Sequence, residues 1–367
     1  MNQKLIVGCM TGTSIDGLDL ALVEVNGHGL GARYSLKKCM SRPLGDLTWR
    51  LRSMAQGDAV TAKEVATISN DLANLHLEAI KELIGDERIE LVAVHGQTVY
   101  HAAPLSLQII NPMIIAVGLG VPVVSDLRGA DLAHGGQGAP ITPVADFLLF
   151  RSLEEARGVV NLGGFCSLTL IPQCSALISN NFHQELKQLK GGDVCVCNQV
   201  LDTLARKLFN VPMDMDGAHG LQGTVVQSAF VELERYLKAQ SELKRSLGTG
   251  DELIIIWLNK FINKCKDDDL MRTACAAIAS TVVHKSCEAD RLILAGGGVK
   301  NRCLVNEIIS RSEIPVELSN NYGIDMAYRE AMAMALLGIL CKDRVPITLP
   351  QITGTMGCSI SGLWALP

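Results

Sequence analysis

The sequence predicts a two-lobed α/β protein with a cleft between its halves. Three observations carry that prediction. The chain has 367 residues, 48% hydrophobic and 19% charged, which is too long for one ordinary core and too apolar for disorder. Apolar, strand-like runs alternate with amphipathic, helix-like runs. The pattern then restarts near Arg157 with the same opening of strand, Gly-rich turn and strand. No Ser/Gly-rich linker separates the halves, so they are expected to sit close. The expected division is 1–156 and 157–367, with the last helix free to cross back to the first lobe.

The elements come in order along the chain. Lys4 to Cys9 and Leu18 to Val25 read as two strands of a hairpin, rich in Leu, Ile and Val. Between them lies a knot of small and acidic residues, "GTSIDGLD". A helix is expected over Ala62 to Ile84. Thr61 and Glu64 form a capping box at its start, and Val65, Ile68, Leu72, Leu75, Ala79 and Leu83 recur on one face. Gly85 suits its end. "IELVAVHGQT" and "GVPVVSDLRGAD" are apolar strands that run into polar loops, as strands buried on both faces do when a site lies at their carboxyl ends. "GVVNLGGFCSLTLIP" opens the second half. Helices are expected from Asn198 to Phe209 and near Leu270 to Cys287. "RLILAGGGVKNRCLVNEII" reads as strand, turn and helix, and "DMAYREAMAMALLGIL" as the last helix.

Charge and composition exclude several classes. The net charge is −5, the pI is near 5.9, and there is no long basic run, which argues against nucleic acid as a partner. No apolar run reaches the ~18 residues of a membrane span; "MIIAVGLGVPVV" and "LIIIWL" read as core. The N-terminus lacks the layout of a signal peptide, so a cytoplasmic location is expected. The 12 cysteines are scattered, without Cys-x-x-Cys, and read as reduced, buried, small apolar side chains.

Chemistry concentrates at three Gly-rich turns, each after an apolar strand: Gly12 to Gly17, Gly163–Gly164 and Gly296 to Gly298. Glycine lets backbone N–H groups approach anionic oxygens. Thr13 and Ser14 add hydroxyls, and Asp16 and Asp19 are candidates to hold Mg²⁺ through water. One such turn is ordinarily structural, but three together suit a nucleotide held between lobes. None is a Walker P-loop or a Rossmann fingerprint.

"MTGTSIDGLDLALVEV", "VHGQTVYH", "VVSDLRGADLAHGGQGAPITPVADFLLF", "NLGGF", "AGGGVKNRCL" and "YREAMAMALLG" resemble the anhydro-N-acetylmuramic acid kinase family, in that family's order and over nearly the whole chain. The resemblance implies the two-lobed actin/hexokinase/Hsp70-like ATPase fold, with mixed sheets and an interlobe cleft that closes on its ligands. It implies an ATP- and Mg²⁺-dependent kinase of peptidoglycan recycling. Such an enzyme opens 1,6-anhydro-N-acetylmuramic acid with water and phosphorylates O6, giving N-acetylmuramic acid 6-phosphate and ADP. It also implies a homodimer.

By the same resemblance Asp193 is the base that activates water, and Arg128 is catalytic and sugar-binding. Thr98 and Glu330 contact the sugar. Gly12, Thr13, Ser14, Asp16, Gly17, Asp19, Gly163, Gly164, Gly296, Gly297, Gly298 and Asn301 hold ATP, with Asp16 on the metal side. Each residue also has a plain structural reading. Asp193 would cap the coming helix, and Arg128 would pair with Asp126 or Asp131. Glu330 would pair with an arginine or lie on a helix surface, and His95 would be a satisfied structural histidine.

The chain departs from the family in places. Where the family has Asp-Thr-Gly-Pro-Gly-Asn it reads Asp193-Val-Cys-Val-Cys-Asn198. Ser167 replaces an Asn, and Ile110 replaces a Gly before Asn111–Pro112. The altered segment keeps open a sugar kinase of another specificity, or a sugar-sensing homologue with weak turnover.

Overall fold

The computed structural model of the chain describes residues 3–15, 17–176, 182–243, 245–248, 251, 254–357 and 360–367, without the side chain of His183. Two mixed sheets organise it. The first contains β1 (Gln3–Thr11), β2 (Gly17–Asn26), β3 (Arg33–Pro43), β4 (Leu91–Ala102), β5 (Leu105–Ile109), β6 (Val123–Ser125) and β12 (Leu363–Ala365). The second contains β7 (Arg157–Leu162), β8 (Phe165–Ile171), β9 (Lys190–Val196), β10 (Arg291–Ala295) and β11 (Val316–Leu318).

The strand orders are β12-β6-β4-β1-β2-β3, with β5 paired to β4, and β11-β10-β7-β8-β9. In each sheet an antiparallel meander of three strands is joined by two parallel partners: β1 pairs β4 and β4 pairs β6, as β7 pairs β10 and β10 pairs β11. The restart in the sequence is therefore a restart in topology.

The continuous apolar runs of the first strands are explained by burial on both faces. Along β2, Leu18, Leu20 and Leu22 enter one core while Ala21, Val23 and Val25 enter another. A period of two divides the strand between two helical layers. The helix Ala62–Ile84 covers one face through Ile68, Leu72, Ala79 and Leu83. Thr61 Oγ1 accepts the Glu64 N–H at 3.2 Å, and Gly85 ends the helix at φ 57°.

The helix Arg329–Lys342 covers the other face, packing on β1, β2 and β4. The approach is close: a Cβ on Gly8 would stand 2.0 Å from Ala331 O, and one on Gly338 would stand 2.5 Å from Ala93 Cβ. This helix starts four residues later than the pattern suggests. Asp325 accepts the Ala327 N–H at 2.9 Å and holds residues 325–328 in a turn instead.

Helices Asn198–Leu204 and Asp267–Lys285 pack with β7 to β10 in a further core. The first continues as a π-helical turn, Ala205–Phe209. The two apolar runs expected in the core are only half buried. Helix Pro112–Leu119 buries Ile115 and Ala116 but exposes Met113 and Val117. Helix Ile255–Phe261 buries Trp257, Leu258 and Phe261 while Ile256 is 75% exposed. Each helix has one face on the protein and one on solvent, which an unbroken apolar run cannot signal. Among the described residues no helix is long and apolar enough to cross a membrane, and the cysteines are free thiols, mostly buried.

Candidate active site

The three Gly-rich turns meet at the carboxyl ends of β1, β7 and β10. The first turn is closed by the Ile15 N–H donating to Gly12 O at 3.1 Å. Gln97, buried on β4, donates to the same carbonyl through Nε2 at 3.0 Å. Thr13 and Ser14 remain exposed at its tip, and Gly17 opens β2 opposite Pro43. Asp16 lies outside the described residues. Thr13 Oγ1 stands 3.0 Å from where a Cβ on Gly164 would be, so the first and second turns face each other.

The second turn is fixed by the residues just after β9: Cys197 N–H donates to Gly164 O at 2.9 Å and Asn198 N–H to Gly163 O at 3.1 Å. The third turn rests on the second. A Cβ on Gly298 would meet Asn198 Oδ1 at 2.8 Å, and one on Gly296, at φ 88°, would meet Asn161 Oδ1 at 2.6 Å. Gly297 faces open space. Asn301 is turned to structural use, its Oδ1 accepting the Leu304 N–H at 3.0 Å as the cap of helix Arg302–Arg311.

Beside the turns sits a group of charges drawn from distant parts of the chain. Arg128 lies just beyond β6. It pairs with neither Asp126, which takes the Gly129 N–H at 2.9 Å, nor Asp131, which takes the Gly138 N–H at 2.7 Å. Instead its Nη1 donates to Gly138 O at 2.5 Å and its Nη2 to His95 Nε2 at 2.9 Å. His95 is structural in a specific sense. Its Nδ1 lies 2.8 Å from Gly96 O, which can only accept, so the proton is on Nδ1 and Nε2 is free to receive Arg128 and Gln108 Nε2, the latter at 3.0 Å. Burial, with the Arg128 charge adding to it, pushes the His95 imidazole down to about 3 and keeps it neutral. Thr98, on β4, accepts from Gln108 Nε2 at 3.3 Å.

Asp193 lies on β9 opposite Ser167. It does not cap helix Asn198–Leu204, whose N-cap position is Cys197. Its Oδ2 accepts the Leu247 N–H at 2.7 Å. Burial pushes its carboxyl up to about 6; the Leu247 hydrogen bond, Arg128 and Arg245 pull the other way, and Asp251 adds to the rise. Glu330 is likewise raised above the usual carboxylate range, by burial first, with Arg329 and Arg128 opposing and Asp146 and Asp19 reinforcing. Burial lowers Arg128 while Asp193 and then Glu330 act to raise it. Arg128, Asp193 and Glu330 thus share one electrostatic neighbourhood, and Asp19 borders it. Asp19, on β2, accepts from Ser41 Oγ, which lies 3.2 Å from Tyr328 Oη.

Val194, Cys195 and Val196 end β9 and Cys197 follows them, with all four side chains in the core. Three features carry no sequence signature of their own. One is the Leu247 N–H on Asp193. Another is the Arg128–His95–Gln108 chain. The third is a buried ion pair beneath Glu330, in which Arg329 on the returning helix meets Asp146 of helix Pro143–Phe150. Asp146 also accepts from Thr169 Oγ1 of β8 at 2.8 Å.

Doubled sheets of this order, with Gly-rich turns converging at a crevice, are those of the actin/hexokinase/Hsp70-like ATPases, a class that includes sugar kinases. The chain resembles component A of (R)-2-hydroxyglutaryl-CoA dehydratase from Acidaminococcus fermentans at 12% identity and a TM-score of 0.43, over 92% of this chain and 98% of that one. The model of the family described as anhydro-N-acetylmuramic acid kinase matches residues 4–365. A relative of that name from Salinibacter ruber is 30% identical over 398 residues, covering all of this chain (100%) and 97% of that protein. One from Bacillus cereus is 28% identical over 388 residues, covering 99% of each. The chain belongs to the anhydro-N-acetylmuramic acid kinase family, and it is a sugar kinase.

Proposed function

We propose that the chain uses ATP to open 1,6-anhydro-N-acetylmuramic acid hydrolytically and to phosphorylate its O6, with Asp193 as the base. The observation that carries this reading is the convergence of Asp193, Arg128 and Glu330 beside the facing turns at Thr13 and Gly164. A carboxyl titrating at about 6 is mostly ionised at neutral pH yet basic enough to take a proton.

In the proposed reaction water loses a proton to Asp193, and its oxygen bonds to the anomeric carbon as the bond from that carbon to O6 breaks. O6 bonds to the γ-phosphorus, and ADP leaves. Arg128, held by His95, is proposed to steady negative charge near the reacting oxygens. Glu330 and Thr98 are the proposed polar partners of the sugar, and a site that relies on hydrogen bonds discriminates strongly against analogues lacking them.

The phosphates are proposed to lie between the first and second turns, with the nucleoside toward the open face of Gly297. Mg²⁺, when bound, neutralises phosphate charge. Among the described residues no cluster of three or more His, Cys, Asp or Glu forms a metal cage. Asp19, which borders the charged group around Glu330, would hold the ion through water. The proposed lobes, 1–156 and 157–367 with the last helix returning, would close and exclude bulk water.

The test is purified protein with ATP, Mg²⁺ and the anhydro-sugar, with the product weighed by mass spectrometry. A product carrying both one water and one phosphoryl group is expected. Phosphorylation of ordinary N-acetylmuramate alone, or tight sugar binding without product, would sink the proposal.

A further inference from the structure

A segment more than fifty positions further along the chain reaches back to Asp193. The Leu247 N–H donates to Asp193 Oδ2 at 2.7 Å. The segment is folded by its own charges. Arg245 donates to Asp251 through Nη1 at 2.8 Å and Nη2 at 2.6 Å, and the Gly248 N–H donates to the same carboxylate at 2.9 Å. Gln240, buried at the end of helix Gln227–Ser241, anchors it to β9. Its Oε1 accepts the Val196 N–H at 3.1 Å, and its Nε2 donates to Asp251 O at 2.8 Å.

The other side of the segment rests on the first sheet. Ser246 Oγ lies 3.3 Å from His101 Nε2, and a Cβ on Gly248 would stand 2.3 Å from His101 O. One short piece of chain therefore touches the carboxylate on β9 and the backbone of β4 together.

We propose that residues 245–248, clasped by Asp251 and seated on His101, are a positioning strap that aims the Asp193 carboxylate at its water. The proposal rests on the reading of Asp193 as the base. The last torsion of an aspartate side chain is broad and loosely set on its own. One N–H on Oδ2 fixes the plane and leaves Oδ1 for the proton transfer, and small losses of aim are costly in rate. A neutral backbone donor does this without cancelling the charge the base needs.

The other groups that face Asp193 are Arg128 from the loop after β6, Arg245 and Asp251 from the segment itself, and Cys166 and Cys195 of β8 and β9. Burial holds both thiols protonated, so they add no charge. Arg245, Leu247, Gly248 and Asp251 are positioning residues, since none of them is assigned a contact with the reacting atoms.

The pH profile of kcat/KM, with ATP, Mg²⁺ and the anhydro-sugar, tests the strap in Gly248→Ala and Arg245→Lys. The new methyl on Gly248 must push the segment off His101 O. The lysine keeps the charge but loses the two-pronged clasp. Loss of the Leu247 donor disfavours the ionised base, so the acidic limb moves upward, by about half a pH unit or more in Gly248→Ala and by less in Arg245→Lys. In Gly248→Ala kcat falls roughly tenfold while the KM for ATP holds.

An acidic limb at the wild-type position in both variants overturns the strap. Arg245 is 47% exposed, so its substitution tests the proposal even if Gly248→Ala does not fold. Asp193→Asn, run alongside, separates the two ideas: full turnover there removes the base itself, whereas failure of the strap alone leaves that variant dead.

Discussion

The turn between β1 and β2 and the turn between β7 and β8 hold equivalent places in two sheets of one strand order, yet they are built in opposite ways. The first is long, offers hydroxyls at its tip, and is braced from below by Gln97. The second is two bare glycines, locked by N–H groups of the chain just after β9. The third strands differ as well. β3 is largely open to solvent along one face. β9 dives into the core and carries Asp193. The two sheets share an order but offer different groups: exposed hydroxyls at the first turn, and a rigid backbone with a buried carboxylate at the second.

The sharpest way to break this contrast is at the third strands. Asp193→Asn on β9 is expected to lower kcat by about a thousandfold or more with ATP binding retained. Ser41→Ala on β3 changes kcat by less than about threefold. Equal losses in a steady-state assay would erase the asymmetry. Next in size is the ion pair that ties the returning helix to both layers. Arg329→Met leaves Asp146 buried and unpaired, and is expected to cost about 3–5 kcal/mol, read as a fall in the urea midpoint.

The turns themselves come third. A Cβ on Gly164 points at Thr13 Oγ1 and Gln199, whereas one on Gly12 meets only Ser14 Oγ at 3.6 Å. Gly164→Ala is expected to raise the KM for ATP about tenfold and Gly12→Ala by less, and the reverse order would show that the first turn is the tighter cradle.

The smallest signal is in pH. The proposed base, Asp193, must be ionised and burial pushes it up to about 6, so kcat/KM is expected to level off above that pH and fall about tenfold per pH unit below it. An acidic limb near the usual aspartate range of about 4 would place the active carboxylate in open water.

The sheets are readable in the sequence because strands buried on both faces need unbroken apolar runs, and the Gly-rich turns because close backbone approach excludes side chains. Helix Ala62–Ile84 is readable down to its cap at Thr61. Arg128, Asp193 and Glu330 stand out by residue type and resemblance, and the fold brings them together. The features that stay illegible have a common physical character. The Leu247 N–H is backbone, and every residue but proline has one. The neutral state of His95 depends on its burial, with Arg128, thirty-three positions away, adding to it. The partner of Arg329 is Asp146, which nothing in the local pattern around either residue announces. The exposed faces at Val117 and Ile256 escape the sequence because hydrophobicity reports what a residue tolerates and not which way it points.

The helix Arg329–Lys342 lies against β1 with no room for a side chain at Gly8. The opening strands of the protein are thus covered by a helix that lies about three hundred positions further along the chain. At a synthesis rate of about 5–20 residues per second, β1 and β2 wait roughly 15–60 seconds for the helix that covers them. A translation stall between the two halves would therefore leave a product with an uncovered apolar sheet face, which is prone to aggregate.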